Sequence, residues 1–354
     1  MSVDVAVIIP VKNGEVFIQE TFDAILRQTS LSQNITLEIC VYDDGSEDET
    51  WRILSTFTEK LDERKIGFKR ARGLSSKGVG FAKNRAVELS SAKYLCFCDV
   101  DDVSSPNRIL EQFNEAENLA KDGRLVFLGS QFHRLPPGST ARYTNWANKL
   151  NDEEIKTQVY TSHGPTLVAP TWFISRSIFE TVTKFNEEFP RGFPEDLDFF
   201  FACLRDKRVI FKKVESDLVM YRYHPGCATL GVSESAIWDL RLGELRRRVL
   251  CNWDQFTVWS AGKQGKRFYK SLSGNERSKV TAFCDVDNRK IQRGWHEEFD
   301  TETRKITSRV PIIHVKEAHP PLVVCVKLDL TDGDLENLVL ESGWIEGRDI
   351  VFFG

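Results

Sequence analysis

With 354 residues, 41% of them hydrophobic and 28% charged, the chain is long enough for two globular domains and too apolar for a disordered one. Its net charge of −4 argues against a general polyanion binder. No apolar run approaches the length of a bilayer span, and the start Met1-Ser2-Val3-Asp4 lacks the basic region of a signal peptide, so no membrane partner is expected and the expected compartment is the cytoplasm. Eight cysteines show no CxxC pair, and those in apolar runs, such as Cys40, Cys96 and Cys98, read as reduced buried thiols.

The first third alternates strands and helices. Val3–Val11 is a nearly unbroken apolar run, as expected of a strand covered on both faces. Ile18, Phe22, Ile25 and Leu26 then recur at helical spacing. Leu37–Tyr42 is a second strand, and Ser46-Glu47-Asp48-Glu49 has the form of a capping box opening a helix. Ile66–Ala71 is a weaker strand, followed by a helix around Gly80–Ser91. Tyr94–Cys98 is another buried strand, Ser105-Pro106 starts a helix with Pro at its first position, and Leu125–Phe132 ends the series. This alternation predicts an α/β fold with an open, doubly wound, mostly parallel sheet whose ligand site lies at the C-terminal strand ends.

After Leu135 the pattern changes to aromatics, prolines and short helices up to about His224. An arginine-rich helix covers 234–251. Strand Phe256–Trp259, a Gly-Lys-Gln-Gly turn, a helix to Leu272 and strands Val280–Cys284, Pro311–Val315 and Leu322–Val326 then read as a small Rossmann-like unit. The expected organisation is an α/β domain at 1–230, a basic helical linker at 231–251 and a Rossmann-like C-terminal domain at 252–354.

Three strand ends carry polar, turn-forming residues. Asp99-Val100-Asp101-Asp102 closes the strand Tyr94–Cys98, and a carboxylate cluster must leave the core at that edge. Two such carboxylates can share a hard divalent ion with a diphosphate. The tetrapeptide alone is weak, because Cys284-Asp285-Val286-Asp287 nearly repeats it. Its context is Val41-Tyr42-Asp43-Asp44-Gly45-Ser46 and Ile9-Pro10-Val11-Lys12-Asn13-Gly14, where Asp44 can accept a uracil N–H and the Pro10–Glu15 turn can frame base and ribose. Each is equally a turn or cap by itself.

Together with Gly78 through Asn84, Pro194-Glu195-Asp196 and Tyr221-Arg222-Tyr223-His224, these motifs resemble the family 2 inverting glycosyltransferases of GT-A type. The resemblance covers roughly residues 3–230. It implies donor contacts from Pro10, Val11, Asn13, Glu15, Asp44, Lys83 and Asp99, with Asp44 on uracil and Asp99 near ribose. It implies a divalent cation, Mn²⁺ or Mg²⁺, on Asp101 with His224 as second ligand, and Asp196 as general base. Lys83 stands where the family often has Arg, which keeps the charge but loses bidentate geometry. A base of this kind is needed because an acceptor hydroxyl is a poor nucleophile until a carboxylate takes its proton; the plainer reading of Glu195 and Asp196 is that both favour a helix N-terminus. Trp172 is either a core aromatic or an acceptor platform, and Glu195 and Arg142 are further acceptor-side candidates.

The whole chain, tail included, is similar to the β-1,3-N-acetylglucosaminyltransferase-like proteins, through Gly80-Phe81-Ala82-Lys83-Asn84, Arg142-Tyr143-Thr144, Gly164-Pro165-Thr166, Pro170-Thr171-Trp172-Phe173 and Ala261-Gly262-Lys263-Gln264-Gly265. That resemblance implies UDP-galactose as donor and the queuosine base of tRNA-Tyr as acceptor. Between Arg241 and Lys279 ten basic residues stand against three acidic ones. Arg246, Arg247, Arg248, Lys263, Lys266, Arg267 and Lys270, interleaved with Trp253, Phe256, Trp259, Phe268 and Tyr269, could contact tRNA or simply form a solvated face. Three further readings compete: N-acetylglucosaminyl transfer to a glycan or protein, a nucleotide-binding tail, and an RNA-binding module without catalysis. In the tail, Ser260 replaces the first glycine of a dinucleotide fingerprint, which puts its tight turn in doubt.

Overall fold

Unbroken runs of β-branched and apolar residues make the central strands, because a strand covered on both faces needs no polar alternation. Strand β1 (Val5–Val11) is buried along its whole length, as are all but one residue of β2 (Leu37–Asp43). The computed structural model describes residues 3–189, 192–299, 303, 305–328 and 330–354. They form two units, residues 1–156 with 163–240, and residues 157–162 with 241–354.

The first unit carries an eight-stranded sheet. Besides β1 and β2 it contains β3 (Gly67–Arg72), β4 (Tyr94–Phe97), β5 (Val103–Ser104), β6 (Leu125–Leu135), β7 (Phe173–Ser175) and β8 (Val209–Arg222), in the spatial order β3-β2-β1-β4-β7-β6-β8-β5. The β3-β2-β1-β4 half is parallel. Beyond β4 the antiparallel β7 intervenes, and β6 pairs in parallel with β8. The expected α/β class with a mostly parallel sheet is therefore the observed one. The change of direction at β4 brings the C-terminal ends of β1, β2 and β4 beside the segments that follow β8.

Local differences have identifiable causes. The helix after β2 begins at Thr50, and Ser46 forms no capping box. Its Oγ accepts from Asn13 N at 2.8 Å and its N–H donates to Asp43 Oδ1 at 2.8 Å. Pro106 precedes the helix Arg108–Leu119 by two residues, with Asn107 between. β6 runs past Phe132 to Leu135 because β8 pairs with it along its length.

The second unit has a six-stranded sheet made of β9 (Phe256–Trp259), β10 (Val280–Asp285), β11 (Trp295–Phe299), β12 (Ile306–His314), β13 (Leu322–Val324) and β14 (Ile350–Phe352), ordered β11-β12-β10-β9-β13-β14. All pairs are parallel except the hairpin β11–β12. The tight turn after β9 forms despite Ser260, which takes φ +127°. Among the described residues no helix is long and apolar enough to cross a membrane.

Candidate active site

The loops leaving β1 and β2 lock to each other. Asn13, with φ +52°, accepts from Glu47 N through Oδ1, and Glu15 accepts from Glu49 N through Oε2. Gly14 N donates to Thr50 Oγ1. Asn13 and Glu15, expected to touch the donor, thus spend these side-chain acceptors on the opposite loop, while Pro10 and Val11 are buried in β1. Asp44 is 3% exposed and anchors the Ser76–Gly78 loop. Its Oδ2 accepts from Ser76 Oγ at 2.7 Å and Gly78 N at 2.9 Å, and its Oδ1 from Lys77 N at 2.9 Å. Oδ1 keeps a second acceptor direction.

That loop opens the helix Val79–Glu88, which presents Lys83 inward. Lys83 Nζ donates to Glu195 Oε1 at 2.9 Å. Burial opposes its charge, but Glu195, Asp99 and Asp196 outweigh that and raise its pKa above the ordinary lysine range. Glu195 and Asp196 open the helix Glu195–Leu204, where its N-terminal dipole favours acids. Asp196 Oδ1 accepts from Leu197 N at 2.7 Å. Its Oδ2 lies 3.9 Å from where a side chain on Gly164 would begin. Burial first, then the charge of Glu195, pushes Asp196 up to about 7 against the pull of Lys83. Burial likewise lifts Asp99 to about 6, against Lys83 and with Asp101 adding to the rise.

The Asp99–Asp102 turn after β4 is held from both sides. Beneath it, Arg108 is 1% exposed and donates to Phe97 O at 2.7 Å and Ser104 Oγ at 3.0 Å. From the end of β8, Arg222 N donates to Asp102 Oδ1 and its Nε to Asp101 O, both at 2.8 Å. His224 follows, its Nε2 lying 2.9 Å from Asp101 Oδ2. Gly226 N donates to His224 Nδ1, which places the ring proton on Nε2. Cys227, not singled out in the sequence, completes a group in which the ligand atoms of Asp101, His224 and Cys227 all lie within 4.8 Å of one another. The overlooked signal was His224-x-x-Cys227, a metal-ligand spacing hidden from a search for paired cysteines.

The donor set fits a divalent cation. Asp101 and His224 offer oxygen and nitrogen on neighbouring loops, and both side chains are partly exposed.

Other expectations change. Trp172 is fully buried. Its Nε1 donates to Leu167 O at 2.7 Å, and its ring packs against Phe97, Phe127, Phe199 and Phe200. It is a core aromatic, with no face for an acceptor. Arg142 is exposed in the first turn of the helix Ala141–Lys149. In the second unit the basic run is partly structural. Arg246 forks onto Glu276 and also donates to Ser271 O. Arg247 pairs with Glu244, and Arg248 hydrogen-bonds Tyr160. Phe256, Trp259, Phe268 and Tyr269 are buried, so they are not stacking platforms. Lys263 and Lys270 stay exposed on the helix Lys263–Ser271, and Lys266 and Arg267 partly so. The second Asp-Val-Asp is no metal cluster among the described residues. Asp285 accepts from Ala261 N and pairs with Lys290 at 3.0 Å.

Residues 6–183, half of the chain, match the family model described as glycosyl transferase family 2. The chain belongs to that family. An uncharacterized glycosyltransferase of Rickettsia felis is 29% identical over 253 residues, covering 68% of this chain and 38% of that protein. The uncharacterized glycosyltransferase EpsJ of Bacillus subtilis is 27% identical over 235 residues, 64% of this chain and 62% of EpsJ. The poly(ribitol-phosphate) beta-glucosyltransferase of Bacillus spizizenii is 29% identical over 151 residues, 43% of this chain and 23% of that enzyme. The chain thus spans less than two thirds of the length of each of these relatives. Among solved structures, residues 1–349 of S. aureus TarS in complex with UDP-GlcNAc align with a TM-score of 0.50 at 17% identity, over 68% of this chain and 66% of that one. That likeness is one of fold.

Proposed function

We propose that this chain is an inverting glycosyltransferase that uses a UDP-sugar. The observation that carries the reading is Asp196, a carboxyl that burial and Glu195 lift to about 7 and whose Oδ2 lies 3.9 Å from the Cβ position of Gly164. A general base works best with a pKa near the operating pH. Asp196 takes the proton of an acceptor hydroxyl as that oxygen bonds to the anomeric carbon. The bond from that carbon to the UDP oxygen breaks on the opposite face, and the configuration inverts. Asp44, through the free direction of Oδ1, takes the pyrimidine N–H, and Asp99 faces the ribose. Lys83 holds Glu195 in place through the 2.9 Å contact, and Asp196 is the acid whose proton moves. Asp101 and His224 would hold a divalent cation, which when bound neutralises charge on the departing diphosphate.

For the finer assignment we take UDP-galactose as donor and the queuosine base of tRNA-Tyr as acceptor. Support comes from the motifs shared with the β-1,3-N-acetylglucosaminyltransferase-like proteins, which extend into Ala261–Gly265. Lys263, Lys266, Arg267 and Lys270 supply a cationic face for phosphates. A second reading, transfer to a glycan, is favoured by the named poly(ribitol-phosphate) beta-glucosyltransferase relative. Single-turnover transfer from labelled UDP-sugars into total tRNA, and separately into ribitol-phosphate polymer, decides between them. Label in one tRNA species from UDP-galactose alone is the expected result. Label only in the polymer would overturn the tRNA assignment and leave the transferase standing.

A further inference from the structure

We propose that Cys227 is a third protein ligand at the Asp101–His224 centre, and that this centre therefore prefers thiophilic divalent ions to Mg²⁺. The inference rests on the reading that Asp101 and His224 hold an ion.

Its basis is the turn His224-Pro225-Gly226-Cys227. Cys227 N donates to His224 O at 3.0 Å, which closes a tight turn and puts residues 224 and 227 on the same side. His224 N in turn donates to Cys227 Sγ at 3.1 Å, drawing the sulfur back over the turn beside the imidazole. Two residues between ligands is the spacing by which short loops present paired donors to one ion. Of the other seven cysteines six are buried and Cys251 is exposed; none of them joins Asp101 and His224.

Distances and charge agree with a shared ion. Metal–ligand bonds of about 2.0–2.3 Å place donor atoms around one ion roughly 3–4 Å apart. The three donor atoms here all lie within 4.8 Å of one another, with Asp101 and His224 at 2.9 Å, so small side-chain shifts suffice. Asp102 adds a second carboxylate, 1% exposed, whose Oδ2 has no hydrogen-bond partner among the described residues.

The donor chemistry then sets the preference. Two oxygens and waters suit Mg²⁺, whereas a set of one carboxylate, one imidazole and one sulfur suits Co²⁺, Zn²⁺ and Cd²⁺. Binding displaces the thiol proton to solvent and leaves a thiolate on the ion. It also takes the lone pair of His224 Nε2, sends that ring's proton to Nδ1 and breaks the contact from Gly226 N.

Co²⁺ titration of the full chain, followed by absorption spectroscopy, tests the assignment without any turnover. A sulfur-to-cobalt charge-transfer band is expected in the natural protein. It should vanish in Cys227→Ser, persist in Cys251→Ser, and be lost in Asp101→Asn. Cys227→Ser should also bind Co²⁺ at least ~10-fold more weakly while its Mg²⁺ affinity changes little. Co²⁺ binding that depends on Asp101 but lacks the charge-transfer band would remove Cys227 and leave the metal centre intact. No Co²⁺ binding at all would overturn both. The band in the natural protein is read independently of whether any variant folds.

Discussion

Lys83 Nζ sits 2.9 Å from Glu195 Oε1, with 6% and 13% of the two side chains exposed. The pair joins the helix after the Asp44-anchored loop to the first turn of the helix that carries Asp196. The donor side and the base side of the site thus share one counter-charge. Removing one partner of a buried pair leaves the other desolvated and unpaired, at a cost of about 3–5 kcal/mol. Lys83→Met should lower unfolding stability by that order in urea titrations, and Glu195→Gln by less, since the amide can still accept from Lys83. An unfolding midpoint unmoved by Lys83→Met would show that the pair does not hold these helices together.

Asp196 allows stability and activity to be separated. Its pKa rises from the ordinary 3.8 to about 7 in the folded chain. Between those values the folded state holds a proton that the unfolded state has lost. The resulting stability is present at low pH and disappears as pH climbs through about 7. Asp196→Asn should therefore raise the melting temperature at pH 8 and change it little at pH 4. The same variant should lose about 10²–10⁴-fold in turnover. In the natural enzyme kcat/KM should rise with pH through about 7, as the base loses its proton. Retained turnover in Asp196→Asn would move the base elsewhere.

Much of this site was legible in the sequence because its residues stand at the ends of strands whose buried runs are unmistakable. Val5–Val11, Leu37–Asp43 and Tyr94–Phe97 were readable, and so was what must happen where their apolar runs stop. β8 was not, since Lys212, Lys213, Glu215, Ser216 and Asp217 interrupt its apolar pattern. Tertiary contacts take up that polarity: Lys213, 3% exposed, donates to Leu150 O at 2.7 Å. Without β8 the clamp of Arg222 on the Asp101-Asp102 turn could not be foreseen. Trp172 stayed open between core and acceptor for a related reason, because one sequence cannot say which side of the segment leading into β7 is covered by Phe199 and Phe200.

The burial of Trp172 gives a direct check on that correction. Trp172→Ala empties a site packed by five phenylalanines, Phe97, Phe127, Phe185, Phe199 and Phe200, and should cost about 3–5 kcal/mol. Trp172→Phe loses mainly the bond to Leu167 O and should fold nearly as well. Its KM for acceptor should match the natural protein's, measured with donor saturating. A several-fold rise in acceptor KM in a stable Trp172→Phe would restore the aromatic to the acceptor side.

The basic residues of the second unit divide into two groups that respond differently to mutation. Arg246 is engaged by Glu276 and Ser271 O, and Arg277 donates to Lys270 O and Leu272 O. Lys263 and Lys270 stay exposed on the helix Lys263–Ser271. If tRNA is the acceptor, Lys263→Glu with Lys270→Glu should weaken tRNA binding and flatten its salt dependence, leaving the melting temperature nearly unchanged. Arg246→Ala should instead lower the melting temperature. Filter binding across a salt series separates the two, and equal salt slopes before and after the double lysine change would place the phosphates elsewhere.

Ser260 and Gly265 show how the second unit makes its tight turn without the expected first glycine. Ser260 adopts φ +127°, a region that side chains rarely enter, and such strain costs of order 1–3 kcal/mol. Gly265 permits it, for a Cβ there would lie 1.9 Å from Ser260 O. Part of the strain is offset where Gly262 N donates to Ser260 Oγ at 3.2 Å, worth about 1 kcal/mol net. Ser260→Gly should therefore stabilise the chain modestly, by about 1 kcal/mol, in denaturant unfolding of the full protein. Gly265→Ala should be strongly destabilising, because backbone carbonyl and methyl cannot share the space. The double variant Ser260→Gly, Gly265→Ala should recover only part of that loss, since the carbonyl of residue 260 remains in the way. A Gly265→Ala variant as stable as the natural chain would mean that the turn relaxes freely and that Ser260 carries no strain.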